Sequence, residues 1–253
     1  MPALPRQVLR YINRPFVILL IVAAASLSQA QSIADAFDPG ANGIVQALAV
    51  QPDGKILVGG LFTTLGGGGT GTTIRNFIGR LNADGSLDTS FDAGANNRVY
   101  AIVVQPDGRI LVAGLFTTLG GGGTGMSTRN FLGRLNADGN LDTTFNPGAN
   151  GEIYSLALQA DGKILVGGNF SMVGGGGTGE AARNRIARLN TNGSLDNSFD
   201  PGANGIVQAL AVQSDGRILV GGQFTTLGGG GSGTFTRNKI GRASCRERVL
   251  PTV

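Results

Sequence analysis

The chain is laid out on a 54-residue interval. Phe37-Asp38-Pro39-Gly40-Ala41-Asn42 returns as Phe91-Asp92-Ala93-Gly94-Ala95-Asn96, and the pattern comes again at 145–150 and 199–204. The same step links Asp53-Gly54, Asp107-Gly108, Asp161-Gly162 and Asp215-Gly216. It also links Phe62, Phe116, Phe170 and Phe224, and the pairs Arg75-Asn76, Arg129-Asn130, Arg183-Asn184 and Arg237-Asn238. A spacing held through four copies means equivalent structural units stacked on one another, because one such unit cannot bury its apolar surface alone. Units are expected to begin near residues 32, 86, 140 and 194, in a repeat domain covering 31–242.

Within a unit the signals are those of four short strands. Residues 43–51 (GIVQALAVQ) end at Pro52-Asp53-Gly54, a turn in which glycine can take positive φ. Residues 55–65 form the second strand, a glycine-rich loop spans 66–74, and residues 75–82 form the third. Asp84-Gly85 then turns the chain into a fourth, 86–91. With 44 glycines and 14% charged residues, long helices are disfavoured.

The first strand selects the architecture. Simple alternation puts Val45, Ala47 and Ala49 on one face and Leu48 and Val50 on the other. Both faces are apolar, one small and one large, whereas a sheet with one wet face alternates apolar with polar. Gly59-Gly60, Ala113-Gly114, Gly167-Gly168 and Gly221-Gly222 allow close backbone approach between sheets. The expected fold is therefore all-β, a β-propeller-like array of four-stranded blades. A parallel β-solenoid is the competitor, but its rungs need only about 20–30 residues.

The two ends differ from the repeat. Arg6, Arg10 and Arg14 precede the ten-residue apolar run Phe16–Ala25, and Ser28-Gln29-Ala30 places small residues before Gln31. Residues 1–30 read as a signal peptide cleaved between Ala30 and Gln31. A membrane anchor would need about 20 apolar residues, so no span is expected in the mature chain. At the other end the pattern breaks inside the fourth copy of the third strand, and residues 243–253, with the single Cys245, read as a non-native tail. They resemble translated sequencing-adaptor read-through. The two ends account for the entire net charge of +4, so the repeat domain is neutral and no nucleic-acid footprint remains.

The string 199–222, from Phe199-Asp200-Pro201-Gly202 to Gly221-Gly222, and Arg80-Leu81-Asn82-Ala83-Asp84-Gly85-Ser86-Leu87-Asp88 resemble the delta-60 repeat of bacterial exported proteins. The resemblance covers about residues 32–242. It implies propeller-like blades in large secreted or surface proteins and carries no common reaction. The loop beginning Gly66-Gly67-Gly68-Gly69 is longer than that family leads one to expect.

The candidate sites reduce in turn. Gly66-x-Gly68-x-x-Gly71 matches a dinucleotide fingerprint, yet no helical periodicity follows it and it recurs in every unit, so it reads as a hairpin connection. Asn82-x-Asp84-Gly85-x-x-Asp88 resembles part of a calcium loop. Arg80, Arg134 and Arg188 stand where such loops begin with Asp, and an Arg–Asp pair closing the turn is expected instead. Histidine is absent, which excludes Ser–His, Cys–His and His-ligated zinc chemistry. No catalytic, metal or cofactor residue is assigned.

Positions that break the repeat are more informative. Ile44, Arg98, Glu152 and Ile206 share one repeat position, Gln46, Tyr100, Tyr154 and Gln208 a second, and Leu61, Leu115, Asn169 and Gln223 a third. If these lie at one rim, Arg98, Tyr100, Glu152 and Tyr154 line a binding surface. Ordinary surface drift is the bland account. The expected function is a non-catalytic exported scaffold for adhesion, with an extracellular protein or carbohydrate as partner. The alternatives are a propeller hydrolase or lyase whose site needs further blades, and a structural spacer of a surface protein.

Overall fold

The computed structural model describes residues 37–68, 71–123, 127–177, 181–228, 230, 235–236 and 240–243. The expected signal peptide, its expected cleavage point Ala30–Gln31, and residues 244–253 with Cys245 lie outside the described residues.

Each unit folds into an antiparallel sheet whose three strands lie in chain order. The first sheet consists of Ile44–Val50, Ile56–Leu61 and Ile78–Leu81. Its equivalents are Val99–Val104, Ile110–Gly114 and Leu132–Leu135 in the second sheet. The third sheet has Ile153–Leu158, Ile164–Gly168 and Ile186–Leu189. The fourth has Ile206–Val212, Ile218–Gln223 and Ile240–Ala243. There the backbone ladder runs to Ala243, which pairs with Ile218 and lies one residue into the segment assigned to the tail.

The all-β blade array expected from the repeat is present, but three of the four strands per unit are markedly shorter than expected, and the third, expected over 75–82, runs only from Ile78 to Leu81 because Phe77 before it takes a φ of +65°. Residues 86–91 make one bridge to the sheet, Leu81 to Leu87. Beyond it the Asp88 carboxylate accepts the Ser90 N–H at 3.0 Å, and Phe91 N–H reaches the Asp88 carbonyl at 3.3 Å. This local turn withdraws the backbone from the ladder. The second strand ends at Leu61 for a similar reason. The Asn42 side-chain oxygen accepts N–H groups from Thr63 at 2.8 Å and Thr64 at 3.0 Å, and Thr64–Leu65 pairs with Thr73–Ile74 in a separate two-residue ribbon. Asn96, Asn150 and Asn204 repeat the clamp.

A β-bulge corrects the facing of the first strand. The register shifts between Val45 and Ala47, between Val99 and Ala101, and at the corresponding points of the third and fourth sheets. One extra residue reverses the alternation, so Val45 joins Leu48 and Val50 on the large face, leaving Ala47 and Ala49 on the small one.

The core lies between successive sheets. Ala47, Leu57 and Ile78 of the first sheet pack with Val99, Ile102 and Val112 of the second. Leu111, Ala113 and Leu132 then meet Ile153, Leu156 and Val166, and Leu165 and Ile186 meet Val207 and Val220. Gly59 is required at the first interface, since a Cβ there would fall 2.7 Å from Val99 Cγ1. The first strands approach one another from sheet to sheet and form the converging edge of the array.

A buried ion pair closes each of the first three units. Arg80, Arg134 and Arg188 meet Asp88, Asp142 and Asp196 at 2.9, 2.8 and 2.8 Å, and their guanidinium groups lie over Phe91, Phe145 and Phe199. Arg134 also donates to the Thr191 carbonyl of the next unit at 2.8 Å, so the pair ties neighbours together. Burial raises the Asp142 carboxyl, but hydrogen bonds from Thr144 and Arg134 outweigh it and hold the group at about 2.

Arg134→Met removes one partner of this buried pair and should cost about 3 kcal/mol in urea unfolding. With the folded Asp142 near 2 and its ordinary value at 3.8, its contribution is complete above about pH 5 and is lost as pH falls through 2. The wild-type midpoint should fall across that window, and less so in Asp142→Asn. Gly139→Ala places a Cβ 2.7 Å from the buried Phe91 ring at a φ of +96°. It should cost about 2 kcal/mol by the same measurement.

Candidate functional site

The bulge that reverses the strand also supplies the candidate site. Its extra residue is Gln46 in the first sheet, Tyr100 in the second, Tyr154 in the third and Gln208 in the fourth. Bulges re-aim a side chain out of the regular pleat. Because first strands adjoin at the converging edge, the re-aimed tyrosines of the second and third sheets meet. Their ring centroids lie 5.1 Å apart with planes inclined at 48°. That tilted arrangement suits the ring quadrupoles.

The two charged residues expected at the rim join the same cluster. Arg98 stands over the Tyr100 ring, 5.9 Å from its centroid, and the Tyr154 hydroxyl donates to the Glu152 carboxylate. Burial raises the Tyr154 phenol well above its ordinary value, and the hydrogen bond and negative charge of Glu152 raise it further. All four side chains are half-buried. Arg98, Tyr100, Glu152 and Tyr154 thus form one contiguous surface spanning two units.

The third variable set falls at the same end of the sheets. Ile44 pairs with Leu61 and Ile206 with Gln223, while Leu115 N–H and Asn169 N–H reach the carbonyls of Arg98 and Glu152 at 2.9 and 2.8 Å. These three variable sets therefore collect at one rim, and the two middle units carry its aromatic and charged members. Chemically the cluster offers an aromatic face, a guanidinium that makes no ion pair among the described residues, and a carboxylate already bonded to a phenol. It suits a ligand with an apolar face and hydroxyl or amide edges. Among the described residues no group of three or more Cys, Asp or Glu side chains is placed to hold a metal ion.

The remaining motifs take structural places. Gly66 and Gly68 have φ of +83° and +73°, the corresponding Gly121–Gly123 and Gly175–Gly177 are tight turns whose middle glycines take a φ of +69°, and no longer helix is present among the described residues. Asn76 of the Arg-Asn pair donates to the Gly122 carbonyl of the next unit at 2.9 Å, and Asn130 does the same to Gly176 at 2.7 Å. A groove of about 580 Å³ that the sequence did not single out opens between the turns of the second and third units, lined by Gln105, Asp107, Arg109, Arg134, Thr191 and Asn192. Arg109 lies 2.9 Å from Asp107 and 3.5 Å from Asp142. The one signal for it was the Lys/Arg alternation at 55, 109, 163 and 217.

The model of a β-propeller repeat, DUF5122, a domain of unknown function, matches residues 51–91, 105–145, 159–199 and 213–237. The chain belongs to the DUF5122 β-propeller family. The matched segments begin at the end of each first strand and, in the first three units, close on the phenylalanine beneath the buried Arg. No curated protein matches this DUF5122 chain in sequence. Among solved structures, a protein of unknown function from Bacteroides caccae is 18% identical, with a TM-score of 0.42 over 70% of this chain and 52% of its own. The DUF5122 chain thus spans about half the length of that protein. A catalytically inactive virginiamycin B lyase from Staphylococcus aureus is 16% identical, with a TM-score of 0.40 over 84% of this chain and 58% of its own. PorZ, a surface component of the type-IX secretion system of Porphyromonas gingivalis, is 16% identical, with a TM-score of 0.41 over 81% of this chain and 28% of its own. No helix among the described residues is long and apolar enough to cross a membrane.

The raised Tyr154 phenol is open to measurement. In an ultraviolet pH titration one tyrosine should ionise well above the ordinary value of 10. Tyr154→Phe should remove that transition, and Glu152→Gln should bring it down.

Proposed function

We propose that this DUF5122 propeller is a binding module of an exported protein, and that the Tyr100–Tyr154 cluster holds its ligand. The observation that carries the reading is convergence. Four residues that break the repeat, far apart in sequence, meet at one rim where a backbone bulge turns two tyrosines toward each other. Tyrosines combine a large rigid apolar surface with a polar edge at little entropic cost, which favours them at binding sites. A carbohydrate fits best, with the apolar face of a sugar ring against the aromatic pair and its hydroxyls toward Arg98 and Glu152. A protein loop presenting similar chemistry is the other member of the class. Export is supported by the arginine-led apolar leader and by the delta-60 resemblance of the repeat.

A screen of the mature protein against glycans and cell-envelope components, followed by calorimetric titration, tests the reading. A saturable ligand is expected. Tyr100→Ala and Tyr154→Ala should each weaken it by about 30-fold, as truncation of an aromatic anchor does. Gln208→Ala, at the equivalent position of the fourth unit, should leave it unchanged. Silence across the screen, or binding indifferent to both tyrosines, sinks the proposal.

A further inference from the structure

One cation at the rim stands apart from the others in this chain. Every other arginine whose side chain is described bonds a carboxylate or a backbone carbonyl. The guanidinium of Arg98, half-buried, bonds neither among the described residues. The Tyr100 ring lies 5.9 Å from it, at the outer limit of about 6 Å for a cation–π contact, and offers its N–H donors no acceptor.

The backbone beneath Arg98 is also set differently from its equivalents. At the preceding position the other units have Gly43, Gly151 and Gly205, where a Cβ would collide with the carbonyl oxygen of Leu61, Asn169 or Gln223. The second unit has Asn97 there, and the Asn97 side-chain oxygen accepts the Arg98 N–H at 2.8 Å. Arg98 is thus held by a device the other three units lack, in a sheet with a neighbour on either side.

The acid of the rim does not answer this cation. The Glu152 carboxylate is engaged by the Tyr154 hydroxyl, and a phenol raised above its ordinary value keeps its proton and the bond at neutral pH. The rim therefore joins an aromatic pair to one uncommitted charge, and that charge is positive. A half-buried guanidinium gains most from an acceptor that is itself charged, and its planar fork matches a carboxylate through parallel N–H···O bonds. In a uronic acid the carboxylate projects from the edge of a ring whose face is apolar. Glu152 repels a second anionic group, which favours a single carboxylate over a densely sulfated chain.

We propose that the rim selects glycans bearing a uronic acid, the carboxylate held by Arg98 and the sugar ring by Tyr100 and Tyr154. This rests on the ligand-binding reading of the rim and adds to it the charge of the ligand.

Calorimetric titration of the full chain with oligosaccharides of galacturonate, glucuronate and mannuronate tests it, each beside the counterpart whose carboxyl groups have been reduced to hydroxymethyl. At least one uronate should bind about 20-fold tighter than its reduced counterpart, as a charge-assisted pair implies. Arg98→Met should erase that margin, and Arg98→Lys should restore part of it. The Arg98 side chain bonds nothing in the fold among the described residues, so the urea midpoint of Arg98→Met should match wild type, and a lost margin is then not a lost fold. Equal binding of each uronate and its reduced counterpart, weakened alike by Tyr100→Ala and Tyr154→Ala, overturns the proposal and leaves the ligand-binding reading standing. A margin that survives Arg98→Met overturns it, as does a preference for sulfated glycans or acidic peptides over every uronate. Silence of all the uronates overturns it too, and the wider glycan screen then decides whether the reading beneath it fails as well.

Discussion

Burial of one sheet against the next is the interaction on which the rest of this structure depends. Each three-stranded sheet has apolar residues on both flanks, and neither flank is covered by anything its own unit supplies. The solution is asymmetric: a small flank of alanine, glycine and leucine receives a large flank of valine, isoleucine and leucine. That asymmetry gives the array a direction. It also explains why Gly59 and Gly167 stand in the second strands, where the next sheet approaches within contact distance of the backbone.

The polar network is subordinate to that packing and supports it. The guanidinium groups of Arg80, Arg134 and Arg188 are taken out of water by the stacked sheets, and such burial is tolerated only with a complete set of partners. Each has a carboxylate, and beneath it an aromatic ring from its own unit. Arg134 and Arg80 add a carbonyl of the following unit, Thr191 in one case and Ala137 in the other. The Asn76 and Asn130 bonds to the next unit's glycine turn do the same at the loop. Side chains that look like local turn residues in the sequence are therefore also the bolts between units.

Against this regular background the rim is where the chain departs from its own rule. The bulge is present in all four sheets, so it is part of the scaffold. Its occupant is free to vary, because the extra residue is released from the alternation that commits its neighbours to the core. Glutamine occupies it in the outer two units and tyrosine in the inner two, where the converging edge brings adjacent occupants together. A scaffold requirement and a variable surface are thereby separated by a single residue.

The 54-residue spacing, the Asp-Gly turns, the two apolar flanks and the Arg–Asp pairs were all legible in the chain itself. Each depends on local chemistry, namely turn conformation, side-chain polarity and repetition at a fixed interval. Other features were settled only by packing in three dimensions. Alternation alone puts Val45 with Ala47, and no residue type at Gln46 announces the bulge that moves it. Residues 86–91 have a strand-like pattern, yet Asp88 bends them away after one bridge. Phe77, Phe131 and Arg185 adopt φ near +65°, a conformation that such bulky side chains do not advertise. The meeting of Tyr100 with Tyr154 follows from which strands converge. This is a non-local contact between residues far apart in the chain, and it exists only once the sheets have stacked.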